Sequence, residues 1–154
     1  MFNTLLMGLL LQCTGKSPIF PNNAVLHCSY NEWNNIKVAL SVACLRFIYA
    51  QNDEYVNVID NFFLEDRPLD LSVFYTFLVT HIAYLKSLQV GGLIHLIGSS
   101  AKKGFYTYSK CKDILNAVQV ITSINNSAIC EKHISNLVLV LEHSILLKKN
   151  VYIL

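Results

Sequence analysis

The chain has 154 residues, of which 53% are hydrophobic and only 14% are charged. This length and composition predict one domain with a well-developed buried core. The net charge of +2 is too small to indicate a nucleic-acid-binding protein, and the lysines occur only in short pairs. Five cysteines without Cys-x-x-Cys spacing indicate neither a disulfide framework nor a zinc site, and they favour a reducing compartment.

The N-terminal segment, residues 1–28, has no predicted helix and is of uncertain order. Its apolar run from Leu5 to Leu11 is similar to the core of a signal peptide, but no basic residue precedes it. The run is far shorter than the ~20 apolar residues of a membrane-spanning helix, so no membrane partner is expected. An intracellular protein, nuclear or cytoplasmic, is the preferred interpretation. The alternative is a secreted or host-directed helical bundle that is glycosylated at the sequon Asn125-Asn126-Ser127.

The first predicted helices follow residue 28. Ser29 and Glu32 have the spacing of a capping box, which predicts a helix from about Tyr30 to Ala50. A second helix is predicted after Pro68, since Asp70 or Ser72 can cap it. Its apolar residues recur at helical spacing and are Leu71, Phe74, Leu78, Ile82 and Leu85.

Three further helices are predicted in the second half of the chain. The segment 90–101 is short or distorted because glycines interrupt it, whereas Ser109–Asn125 and Glu131–Lys148 have apolar faces at helical period. The β-branched run 118–122 also suits a strand, but a polar stripe at the same period favours a helix. The predicted fold class is all-α: a bundle of five helices around the central helix 109–125, plus one N-terminal helix, in one domain over 29–154.

No pattern of catalytic or metal-binding residues is present. The five histidines are scattered, and Cys130 with His133 would supply only two ligands on one helix face. Gly15-Lys16-Ser17 does not form a P-loop, because six residues separate it from Gly8 where that motif has four. We therefore expect no enzyme, no cofactor and no small-molecule substrate.

The last predicted helix carries one acid, Glu142, within an apolar sequence. A buried carboxylate needs a partner, although a solvated position on the rim of the helix is the alternative interpretation. The sequence Leu141-Glu142-x-x-Ile145-Leu146, followed by Asn150-x-x-Ile153, resembles the end of a cyclin box. In that family the matching Glu contacts the backbone of a protein kinase.

Weaker cues extend this resemblance over residues 36 to 153, to the single-box P/U-type cyclins of phosphate signalling. Asn52-Asp53, the aromatic residues before Pro68 and the run Ala117-Val118-Gln119-Val120 are each similar to the family pattern. The chain departs from it at Ser123, where the family has a lysine, and the segment between the last two helices is shorter than the family's.

The resemblance implies a regulatory subunit that binds a cyclin-dependent protein kinase and favours its active conformation, which is a population shift. It also implies a kinase-binding surface made by Glu142, Ser123 and Lys149, in which Glu142 accepts backbone N–H bonds. We expect Glu142 and Ser123 to lie close together and to be partly exposed.

Overall fold

A computed structural model describes residues 8–16, 23–64, 68–98, 104–124 and 131–154, except the side chains of residues 123, 124 and 131. The strands are β1 (Gly8–Cys13), β2 (Ala24–Ser29), β3 (Gly104–Tyr106) and β4 (Val151–Ile153). The helices are α1 (Tyr30–Gln51), α2 (Val56–Phe62), α3 (Leu71–Thr80), α4 (Ile82–Ser87), α5 (Leu93–Ile97), α6 (Tyr108–Ile124) and α7 (Glu131–Leu147), and a 3₁₀ turn spans Asp53–Tyr55. No helix in these ranges is both long and apolar enough to cross a bilayer.

The four strands form one antiparallel sheet in the order β2-β1-β4-β3. The predicted all-α fold, a cyclin-box-like bundle of five helices, is therefore wrong. Two of the strands have only three residues, which is too short to show a period-2 pattern, and β1 pairs with β4 from the other end of the chain. β1 and all of β2 except Ser29 lie in the segment 1–28, outside the predicted helical domain 29–154.

The helices cover one face of this sheet. α7 packs against β1, β2 and β4, while α6 packs against α7 and α1. Every second residue of β1 and β2 is buried beneath them, and these residues are Leu9, Leu11, Cys13, Ala24, Leu26 and Cys28. The hydrophobic core therefore lies between the sheet and the helical layer.

Three predicted helices are confirmed as α1, α6 and α7. The capping box that begins α1 is present, because Glu32 N–H donates to Ser29 Oγ at 3.0 Å and Ser29 N–H donates to Glu32 Oε1 at 2.9 Å. Residues 118–122 are helical, and the Thr122 hydroxyl donates to the Val118 carbonyl at 2.6 Å. The periodicity of these segments was thus sufficient to identify them.

The other predicted helices differ in extent. Asp70 caps α3 by accepting from Ser72 N–H at 2.9 Å, as expected, but the helix ends at Thr80 and α4 begins only after His81. The predicted helix 90–101 is reduced to the five residues of α5, which follows Gly91 and Gly92.

Two helices end in the same backbone motif, in which a left-handed residue reverses the chain. Gln89 after α4 has φ 66°, and Lys148 after α7 has φ 53°. The N–H of the residue that follows each one bonds to a carbonyl five positions back, which is the pattern of a Schellman motif. The first motif directs the chain into the Gly91-Gly92 turn, and the second directs it into β4.

Polar contacts fix the C-terminal half of α7 to the sheet. The buried His143 donates from Nε2 to the Gly15 carbonyl at 2.9 Å, and the buried Ser144 hydroxyl donates to the Lys149 carbonyl. Gly15 has φ 114°, and a Cβ there would lie 3.0 Å from Leu147 Cδ1, so only glycine fits. These contacts join α7 to the end of β1 and to the start of β4.

Candidate functional site

The face of the sheet opposite the helices is exposed. In β2, buried and exposed residues alternate strictly, and β1 alternates buried with half-buried residues. Val25 is 43% exposed, Tyr152 46% and Phe105 54%. This side of the sheet therefore presents large apolar side chains to solvent.

Strand pairing arranges these side chains in two rows, which together we call the open face. The first row crosses all four strands and contains Val25, Gln12, Tyr152 and Phe105. The second row contains His27, Leu10 and Leu154, in which Leu10 and Leu154 exchange backbone hydrogen bonds of 2.8 and 3.3 Å. Because adjacent strands lie about 4.8 Å apart, the first row spans about 14 Å.

The chemistry of the open face is apolar and aromatic. The rings of Phe105 and Tyr152 have centroids 6.0 Å apart, which is a favourable aromatic contact. Gln12 and His27 are its polar members, and neither row contains Asp, Glu, Lys or Arg. An exposed apolar patch of this kind marks an interaction surface. Stacking of nucleic-acid bases would require cationic side chains beside the rings, and the two rows contain none.

The expected kinase-binding residues do not form one cluster. Burial raises the pKa of the Cys111 thiol, and the Ser144 hydroxyl lies close enough to the thiol to oppose this shift. The first turns of α6 therefore lie beside the C-terminal half of α7, which also carries Glu142. Ser123 is twelve residues beyond Cys111 in α6, or about 18 Å along the helix axis. The structure therefore does not bring Glu142 and Ser123 together, and the Ser123 side chain lies outside the described residues.

Glu142 and Lys149 occupy different surroundings. Glu142 is half-buried on α7, and its carboxylate makes no hydrogen bond or ion pair with another described residue. Lys149 is exposed, and its Nζ lies 3.0 Å from the position that a Cβ on Gly15 would take. Burial raises the pKa of the Cys13 thiol, and the charge of Lys149 partly offsets this effect. Lys149 thus lies in the connection between α7 and β4, beside the turn that follows β1.

The described cysteines are unsuited to nucleophilic chemistry. Cys13, Cys28, Cys44 and Cys111 are buried free thiols. Burial raises the pKa of Cys44 to about 12 and those of Cys28 and Cys111 to about 11, so the reactive thiolate is scarce at neutral pH. Within the described ranges no three His, Cys, Asp or Glu residues are grouped to hold a metal ion, and Cys130 lies outside those ranges.

Comparison with protein-family models, with curated proteins and with solved structures finds no match to this chain. The resemblance to cyclins therefore stays a prediction.

Sequence reasoning did not identify the open face, although part of its signal was present. The alternation Ala-Val-Leu-His-Cys-Ser in β2 has the period of a half-buried strand. Phe105 and Tyr152 lie in three-residue strands, where no periodicity can be measured. Only the pairing of strands that are distant in sequence aligns these two rings.

Proposed function

We propose that this protein is a non-catalytic binding subunit that docks through the open face onto an apolar surface of a partner protein. The observation that carries the proposal is the uncharged row from Val25 to Phe105, in which three of four side chains are apolar or aromatic. The proposal keeps the class of function that the sequence indicated, a non-catalytic binding subunit. It assigns the contact with the partner to the sheet rather than to a cyclin box.

The energetics of interfaces support this assignment. Aromatic side chains are enriched among the residues that dominate binding energy, and truncating such a residue typically costs about 2 kcal/mol or more. Phe105 and Tyr152 are adjacent and lie on regular strands, so little side-chain entropy is lost when a partner covers them.

The test compares two lysine substitutions at similarly exposed sites. Phe105→Lys places a charge on the open face, while Val73→Lys places one on α3, where Val73 is 52% exposed. Tagged wild-type and variant chains are purified from the native cell and their partners are quantified by mass spectrometry. We expect at least one partner to be retained by Val73→Lys and reduced about tenfold or more by Phe105→Lys.

Thermal unfolding of both variants is the control, since both substituted positions are exposed and both proteins should remain folded. If Phe105→Lys and Val73→Lys recover the same partners in the same amounts, the proposal is wrong. Recovery of a cyclin-dependent kinase with the wild-type chain would support the kinase predicted from the resemblance as the partner.

A second candidate is the kinase contact at Glu142. It is favoured by the half-buried carboxylate, which has no hydrogen-bond partner among the described residues, because a partner's N–H groups would satisfy it. Glu142→Ala should weaken a kinase complex about tenfold or more, since a charged hydrogen bond contributes ~1.5–3 kcal/mol. Glu54→Ala, at an exposed acid in the 3₁₀ turn, is the matched control.

The thermal stability of Glu142→Ala separates two roles for this acid. A contact with a partner leaves the melting temperature of the isolated chain nearly unchanged. If Glu142→Ala unfolds instead, the carboxylate stabilises the fold rather than a complex with a partner.

The proposal assigns the protein to the interior of the cell. The four described cysteines are free thiols, which is the state that reducing compartments maintain. Mass spectrometry of the protein from its native cell, after alkylation of free thiols, should find these four positions alkylated.

A further inference from the structure

An open cleft of about 560 Å³ lies between the connection from α4 to α5 and the first half of α6. Ile82 and Ile94 contribute its apolar surface. Its polar side chains come from three separate parts of the chain and are Lys86, Gln89, His95, Asp113 and Asn116. This volume is within the range of sites for small molecules.

Two glycines give the cleft its shape. A Cβ on Gly92 would lie 2.0 Å from the carbonyl oxygen of Asp113, so the turn lies directly against the backbone of α6. A Cβ on Gly91 would lie 2.9 Å from Lys86 Cγ, which shows that the stem of Lys86 packs along the same turn. Val90, the last residue of the Schellman motif and the one directly before these glycines, is fully buried. The cleft is therefore formed before any ligand enters it.

Charged groups of both signs lie around His95. Burial lowers the pKa of His95, and Lys110 and Lys86 lower it further, while Asp113 opposes them. The His95 Nε2 lies 3.9 Å from Asp113 Oδ2. Lys86, which lines the cleft together with His95, can pair with an anionic group placed between the two side chains.

The α6 wall adds groups that recognise hydroxyls. Asp113 and Asn116 are three residues apart on the helix, so their side chains are neighbours on its surface. A carboxylate accepts hydrogen bonds, and an amide both donates and accepts them. Asp113 would repel a bare anion, but a hydroxyl of the same ligand that donates to Asp113 would offset that repulsion.

We propose that this cleft binds a small organic phosphate that also carries hydroxyl groups, such as a sugar phosphate. Its phosphoryl group pairs with Lys86 and His95, and its hydroxyls bond with Asp113 and Asn116. A phosphate supplies about two negative charges and three acceptor oxygens, and a lysine ammonium pairs with it as a point charge. The site is independent of the open face, and the ligand is bound without being chemically changed.

The test titrates the full chain with ribose 5-phosphate by calorimetry, with ribose and inorganic phosphate as probes for the two halves of the ligand. We expect ribose 5-phosphate to bind about tenfold or more tightly than either probe. Lys86→Gln should weaken this binding about tenfold or more. Lys112→Gln removes an exposed charge of α6 outside the cleft, and it should leave the affinity nearly unchanged.

A second measurement follows the His95 imidazole by NMR. Saturating ribose 5-phosphate should raise the pKa of His95, because the ligand's negative charge opposes that of the two lysines, and the signal of His27 on the open face should not move. Absence of saturable binding would overturn the proposal. Equal affinity for inorganic phosphate would overturn the assignment of hydroxyl contacts, and equal weakening by Lys112→Gln would overturn the site.

Discussion

The two faces of the sheet are made by alternate residues of the same strands, yet they have opposite surroundings. On the inner face, Leu11 and Val151 are completely buried beneath the helices. On the outer face, Phe105 and Tyr152 are about half exposed. Both faces are largely apolar, but burial of only one of them contributes to folding.

This difference separates residues that the fold requires from residues that it does not. Burying a large aliphatic or aromatic side chain contributes about 1.5–3 kcal/mol, which accounts for the apolar composition of the inner face. Phe105 is 54% exposed, so burial by the described residues does not explain why this position is aromatic. The apolar composition of the outer face therefore calls for another explanation, and cover by a partner supplies one.

The largest expected effect comes from truncating neighbouring leucines on opposite faces of β1. Leu11 is completely buried, whereas Leu10 is half-buried on the open face. Leu11→Ala should lower the free energy of unfolding by about 2–5 kcal/mol, because it leaves a cavity in the core. Leu10→Ala should cost less than half as much, as measured by urea unfolding. Similar losses at both positions would contradict the distinction between the two faces.

The helical elements were predictable where local signals agreed. For α1, the capping box of Ser29 and Glu32 and the apolar period both mark its beginning. The division between α3 and α4 at His81 was not predictable, because Ile82 and Leu85 continue the same apolar stripe. Local spacing records which residues can share a helix face, but not where tertiary packing interrupts the helix.

The sheet could not be derived in the same way. The apolar run from Leu5 to Leu11, which overlaps the first part of β1, has no alternating polarity and is instead similar to the core of a signal peptide. Its pairing with β4 joins Leu11 to Ile153 across almost the whole chain, and no local pattern specifies such a contact. For the same reason, the open face can be identified only when the pairing register of the four strands is known. From the sequence, Gly91 and Gly92 predict only a short or distorted helix, whereas in the structure they form a turn that shapes a cleft.

A smaller effect is expected from a contact between the helices α1 and α7. Glu32 Oε2, in the first turn of α1, lies 2.7 Å from Nε2 of His133 on α7. Hydrogen bonds from the backbone and hydroxyl of Ser29, together with His133, lower the pKa of Glu32 below its ordinary value of 4.5. These hydrogen bonds to the ionised Glu32 therefore stabilise the fold above pH 4.5, and their contribution is lost as the pH falls through the lowered pKa.

Melting temperatures of the wild type and Glu32→Gln should differ most at neutral pH, and the difference should shrink as the pH falls below 4.5. A difference that stays constant into acid would show that the charge of Glu32 does not contribute to stability. His133→Gln, which removes the imidazole but leaves the capping box, should reproduce only part of the effect.

The most direct test of the open face is site-specific photocrosslinking in the native cell. A benzophenone amino acid replaces Tyr152, which is 46% exposed on the sheet, or Val79, which is 47% exposed on α3. If the open face is a docking surface, the probe at position 152 crosslinks to a defined partner protein and the probe at position 79 does not. Crosslinks of equal yield at both positions, or none at position 152 in the folded protein, would contradict the account.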